Sequence, residues 1–257
     1  MKPYYDKGGL ALGITVAVVS GKGGTGKTSV CAGVAVAMAV TGARVLCIDC
    51  DVGLRNLDIS LGLSDSGALS FLDVSEGSYS LQQATRHPYF PTLAFLTAPM
   101  NRRVELIDIS AFGQLLQEAR TLYDYILLDA PAGVDAGFRL VSTYADRFLL
   151  VTGPGPAAVR DAARVGDLLE LMGKTDVRLI VNRVNKSMLS ILKLTIDDVM
   201  DRAGLPLIGV VLEDEDVPLA AACNLPLLRY SKRAVATAAY RKIAKRIQGY
   251  PEPITLR

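Results

Sequence analysis

Eight consecutive residues carry the densest chemistry in this chain: Gly21-Lys22-Gly23-Gly24-Thr25-Gly26-Lys27-Thr28. They satisfy G-x-x-x-x-G-K-[ST] at every fixed position. Glycines let successive backbone N–H groups turn inward around phosphate oxygens, and a following helix adds partial positive charge at its N-terminus. Lys27 suits the β- and γ-phosphates, and the Thr28 hydroxyl suits Mg²⁺. Gly21, Lys22, Gly23, Gly24, Thr25, Gly26, Lys27, Thr28 and Ser29 are therefore the candidate nucleotide-binding residues. The bland alternative is a glycine-rich turn. Context favours the phosphate reading, because the apolar β-branched run Ile14–Val19 reads as a buried strand and the uncharged stretch 29–43 as a buried helix. Lys22 is a second lysine that the pattern does not require; its bland alternative is a solvated loop residue.

Further along, carboxylates stand where such a site needs them. Residues 44–50 read as a second strand ending in Asp49-Cys50-Asp51. Two residues apart, Asp49 and Asp51 share one face at a strand's C-terminal end, the edge where open α/β sheets bind ligands. The apolar strand Tyr125–Asp129 also ends in a carboxylate, Asp129, as a Walker B strand does. A strand over 177–181 runs into Asn182-Arg183. A side-chain amide can pair with both a donor and an acceptor on adenine. The chain continues Asn182-Arg183-Val184-Asn185 rather than Asn-Lys-x-Asp, which favours ATP over GTP.

These groups must be held by alternating strands and helices. Besides those named, strands are expected over 93–97, Arg147–Thr152 and 207–211, and helices over 107–122, 157–172 and 231–248. The pattern predicts an α/β fold, a doubly wound, mostly parallel sheet flanked by helices, in a single domain over 1–257. Residues 1–13 form a lead-in and 249–257 a short, proline-containing tail. With half its 257 residues apolar, the chain is not disordered over most of its length, and 28 basic against 26 acidic residues leave a net charge of +2 that argues for no particular partner. Lys2 and Lys7 before an apolar run imitate a signal peptide, but that run feeds the phosphate loop. A cytoplasmic protein is expected. Cys47 and Cys50 form a CxxC, yet three apart on a strand they face opposite ways and cannot share a metal or a disulfide. His87, the only histidine, is assigned no role.

Taken together, GKGGTGKT, DCDVGLRNLD, DAPAG (residues 129–133) and Asn182-Arg183 resemble the MinD/ParA family of P-loop ATPases, in the same order and over residues 14–248. DCDVGLRNLD is similar to the MinD branch and unlike the ParA branch. The resemblance implies an ATP- and Mg²⁺-dependent ATPase of slow turnover that dimerises on ATP and answers to a protein activator or cargo. It implies that Lys22 reaches the partner protomer's phosphates, and that Asp51 positions the attacking water. It further implies that Asp49 and Asp129 support Mg²⁺ beside Thr28, that Gly133 senses the γ-phosphate, and that Asn182 and Arg183 hold the base. Leu212 departs from the family, where a proline is usual. The cellular role implied is spatial positioning such as division-site selection. Placement of flagella or other polar machinery, and ParA-like partition on duplex DNA, are the alternatives. The last helix carries Arg241, Lys242, Lys245 and Arg246. It is expected to dock on the sheet with a solvated basic face rather than to bind nucleic acid. The tail is expected to be too short for the amphipathic anchor of the MinD branch, which leaves a peripheral association with the inner face of the membrane open.

Overall fold

The computed structural model describes residues 4–5, 11–100 and 102–254. Part of the lead-in is paired: β1 (Tyr4–Tyr5) runs antiparallel to β2 (Ala11–Leu12). The main sheet has eight strands and grows outward from β3 (Ile14–Val19). Its neighbours are β7 (Tyr125–Asp129) and β8 (Arg147–Thr152), both parallel to it. On one flank follow β4 (Val45–Asp49), β6 (Leu93–Leu96) and β5 (Thr85–Arg86), the last antiparallel. On the other lie β9 (Val177–Val184) and β10 (Leu207–Leu212). The expected doubly wound, mostly parallel sheet is present.

Central strands are apolar without alternation because both faces are covered. Val16 and Val18 enter one core, Ala17 and Val19 the other. The first core lies under α1 (Lys27–Val40), α2 (Leu57–Leu61), α9 (Asp216–Ala222), α10 (Leu227–Tyr230) and α11 (Val235–Ile247). Covering the second are α3 (Phe71–Ser75), α4 (Ile109–Leu122), α5 (Ala136–Tyr144), α6 (Pro156–Leu171), α7 (Lys186–Ile191) and α8 (Ile196–Ala203). Cys47 and Cys50 fall in different cores, on opposite sides of the sheet, as their spacing requires.

Several boundaries move for identifiable reasons. Helix α4 starts at Ile109 because the Asp108 carboxylate caps it, accepting from Ser110 N at 2.8 Å and Ala111 N at 3.3 Å. The last helix starts at Val235, not 231, and its Ala236 N–H donates to Asp214 Oδ2 at 3.0 Å. It is docked through Ala236, Tyr240, Ile243 and Ile247, all buried, and the Tyr240 ring lies where a Cβ on Gly33 would stand. His87, given no role by its sequence context, is buried and joins two segments: its ring nitrogens contact Leu61 O at 2.8 Å and the Tyr89 N–H at 3.1 Å. Among the described residues no helix is long and apolar enough to cross a membrane.

Candidate functional site

The phosphate-loop residues lie between β3 and α1, at the C-terminal edge of the sheet. Gly24 and Gly26 both sit at φ +80°, in the left-handed region that favours glycine. A Cβ on Gly23 or Gly24 would meet nothing within 4 Å, so the loop is open beside these two residues. Gly26 is the opposite case, since a Cβ there would stand 2.3 Å from Asn182 Nδ2. Thr25 Oγ1 is buried with no hydrogen-bond partner among the described residues. An anion-binding cradle has this form: open to a ligand in front, tightly packed behind.

Parallel register brings the carboxylates to the loop. Asp129 pairs with Val18 across β3–β7 and with Asp49 across β7–β4, so both acids end their strands side by side. Lys27 Nζ contacts Asp129 Oδ1 at 2.7 Å, with both residues buried. Burial works against the ammonium, but the adjacent Asp129 charge and hydrogen bond outweigh it and raise the Lys27 pKa. Asp49 takes the opposite consequence. Its burial, then the Asp129 charge, push its carboxyl up to about 7 even though it accepts from Asp51 N at 2.9 Å and Leu57 N at 3.1 Å. Asp51 is half-buried and receives only long contacts, from Gly53 N and Leu54 N, both at 3.3 Å. It is the acid freest to meet a ligand.

The remaining expected residues are arranged around this centre. Lys22 is exposed at the loop's start. Gly21 lies against Asp161, Thr28 helps hold the Asp129 pKa down against its burial, and Ser29 lines a separate cavity. Gly133, at φ +90°, donates its N–H to Ser20 O at 3.0 Å, which places switch-like residues 129–133 directly against the loop. The cavity beside Gly26 has a volume of about 580 Å³, lined by Ser29, Asn182, Arg183, Leu212 and Glu213 among others. Leu212, the departure from the resemblance, thus belongs to the wall of this cavity. Glu213 and Asp214 were not expected to matter. Glu213 pairs with Arg183 at 3.0 Å, while Asp214 links that wall to α11. No spacing rule connects residues 30 apart on different strands, so nothing in the chain flagged them.

The donor set fits both ligands that the motifs imply. Backbone N–H groups with a buried lysine suit phosphate. Thr28, Asp49 and Asp129 offer the hard oxygens that suit Mg²⁺, which takes one or two carboxylates and completes its shell from phosphate and water. Among the described residues no cluster of three or more His, Cys, Asp or Glu could hold a metal alone.

Residues 16–227 match the CobQ/CobB/MinD/ParA nucleotide binding domain. The chain belongs to the MinD/ParA family. Within that family its similarity runs to MinD: it is 35% identical over 240 residues to a septum site-determining protein MinD of Synechocystis, covering 93% of this chain and 90% of that one. With the Bacillus subtilis protein of the same description it shares 34% identity over 247 residues, 95% of this chain and 92% of the other. The structure superposes on MinD in the MinC:MinD cell division protein complex of Aquifex aeolicus with a TM-score of 0.86 and 33% identity, covering 94% of this chain and 98% of that one. Against the Pyrococcus horikoshii MinD complexed with Mg-ADP the TM-score is 0.81 at 27% identity, over 92% and 96% of the two chains. The matched residues 16–227 include every candidate site residue above.

Proposed function

We propose that this chain is a MinD-type ATPase, one P-loop domain that binds ATP with Mg²⁺, dimerises in that state and hydrolyses slowly. Its cellular work is spatial placement of the division site, carried out in the cytoplasm or peripherally at the inner face of the membrane with a protein activator or cargo. A relative in complex with MinC supports a protein partner of that kind. The observation that carries the reading is the buried Lys27–Asp129 pair of 2.7 Å beside Asp49 and behind an open glycine cradle.

Each residue has a separate task in this reading. Lys27 neutralises phosphate charge, and the loop N–H groups bind its oxygens. Thr28, Asp49 and Asp129 would hold Mg²⁺, which would supply charge neutralisation between phosphates. Asp51, half-exposed and weakly held, orients water for attack. Placement of polar machinery shares this chemistry, and a pull-down with the ATP-locked protein separates the two roles by partner. For DNA partition, the docking of α11 leaves only its outer basic residues as support.

Two substitutions separate binding from chemistry. Lys27→Ala should lose nucleotide affinity, because nothing replaces the charge facing the phosphates. Asp51→Ala should keep ATP binding and dimerisation while turnover falls about a hundredfold or more, the scale of losing a positioned group for water activation. Calorimetry and phosphate release measure the two quantities. Equal loss of ATP binding in both variants would sink the assigned roles.

A further inference from the structure

A trans peptide is planar, and its C=O points opposite to the N–H of the next residue. A loop that aims N–H groups inward at phosphate must therefore aim its carbonyls outward, and each outward carbonyl that is buried needs a donor. Two side chains supply those donors from behind. The Gly24 carbonyl accepts from Arg183 Nη1 at 3.1 Å, and the Thr25 carbonyl accepts from Asn182 Nδ2 at 2.8 Å. The N–H groups on those same two peptide planes belong to Thr25 and Gly26, inside the cradle.

Adjacent residues of a regular strand point to opposite faces, so Asn182 and Arg183 need a break in regularity to act together. The structure has one. Between Val181 and Val184 strand β9 advances three residues, while β10 advances two, from Val210 to Leu212. Arg183 sits in this bulge at φ +55°. Bulges re-aim side chains in this way. The Asn182 amide is only 4% exposed and fills the space behind Gly26. Arg183 is far more exposed and divides its guanidinium between Gly24 O and Glu213 Oε1.

We infer that Asn182 and Arg183 are positioning residues for the phosphate loop, acting through the Thr25 and Gly24 carbonyls, beyond any contact either makes with the base. Asn182 does most of this, because its bond and both residues that make it are buried. Arg183 contributes less, being solvated, and ties the loop to the base-side wall through Glu213. The inference rests on the nucleotide reading of the site.

The test compares ATP with inorganic tripolyphosphate, which has the phosphates and no base. Asn182→Ala should weaken both, tripolyphosphate by about tenfold or more for a buried carbonyl left without its donor and ATP by at least as much. Arg183→Gly, which tolerates the positive φ without strain, should weaken both by a smaller factor. Hydrogen exchange on nucleotide-free protein gives a second readout that no base contact can influence. The Thr25 and Gly26 amides should exchange faster in Asn182→Ala, with the melting temperature held as a check on folding. Should Asn182→Ala fail to fold, the same two readouts on Arg183→Gly decide. Tripolyphosphate affinity retained while ATP affinity falls, or unchanged exchange in the loop, would overturn the inference. A wild-type protein that binds neither ligand would instead overturn the nucleotide reading itself.

Discussion

Asp49 and His87 are buried titratable residues whose consequences for stability run in opposite directions. The Asp49 carboxyl moves from 3.8 to about 7, with burial as the largest cause. Its folded form therefore favours the proton, so this contribution is complete at low pH and is lost as pH rises through about 7. His87 has its pKa lowered from 6.5, mainly by burial. Its contribution is complete above 6.5 and lost as pH falls toward the folded value. Protonating it would also turn Nδ1, which accepts the Tyr89 N–H, into a donor. The melting temperature of nucleotide-free protein should separate the two. His87→Gln should remove the fall on acidification below pH 6.5, and Asp49→Asn should remove the fall on alkalinisation between about pH 4 and 7. Melting curves of both variants parallel to wild type across pH 4–8 would show that neither ring nor carboxyl is coupled to folding as described.

Among the elements, α1 shows why a local rule can lose to packing. It contains Gly33 in a helix interior, where alanine would ordinarily be better by about 1 kcal/mol. Here a Cβ would stand 2.1 Å from Tyr240 Cδ2, in the middle of an aromatic ring on α11. That ring is buried, so it has little room to retreat. Overpacking of this kind costs about 1–3 kcal/mol, which outweighs the propensity gain. Gly33→Ala should therefore destabilise the protein in denaturant unfolding. It should also disturb nucleotide affinity, because Tyr240 lines the cavity beside Gly26. A stabilised Gly33→Ala protein would show that the two helices have slack at this contact. Helices α2, α7, α9 and α10 are seven residues or fewer and leave too little periodic pattern to be legible.

For the whole molecule, the decisive question is whether each site is completed by a second copy. Lys22 is exposed on the same loop as buried Lys27, so it is free to reach outward rather than into its own cradle. In a dimer that exchanges Lys22, one site combines Lys27 and Asp51 of one protomer with the lysine of its partner. Lys22→Ala and Asp51→Ala should each be nearly inactive alone, since a cation supplied across an interface can be worth ~10³-fold. Mixed together, they form dimers in which one site is whole. The mixture should recover a substantial part of wild-type ATPase activity, with heterodimer formation verified by cross-linking. Cross-linked heterodimers without recovery would place Lys22 in its own site.

The glycine loop, the two strand-end aspartates Asp49 and Asp129 and the doubly wound order were legible from residue types alone, because each depends on local chemistry; β4 stops at Asp49, so Asp51 lies past the strand end where the sequence put it. Glycine permits the loop's turns. Unbroken apolar runs mark strands covered on both faces. Carboxylates at strand ends fall on the ligand-binding edge in any sheet of this kind. The resemblance to the MinD/ParA family followed from the same short segments. Tertiary structure decided what depends on which strands become neighbours. Register placed Asp129 beside Asp49, where its charge adds to burial in raising the Asp49 pKa, and the fold brought Lys27 onto Asp129. The β9 bulge, set by pairing with β10, turned Asn182 and Arg183 onto carbonyls more than 150 residues away. Asp214 set where α11 begins, and His87 found Leu61 from 26 residues away, past α3. Local pattern reports the conformational preference of a residue; a hydrogen bond between distant segments exists only once the sheet has brought them together.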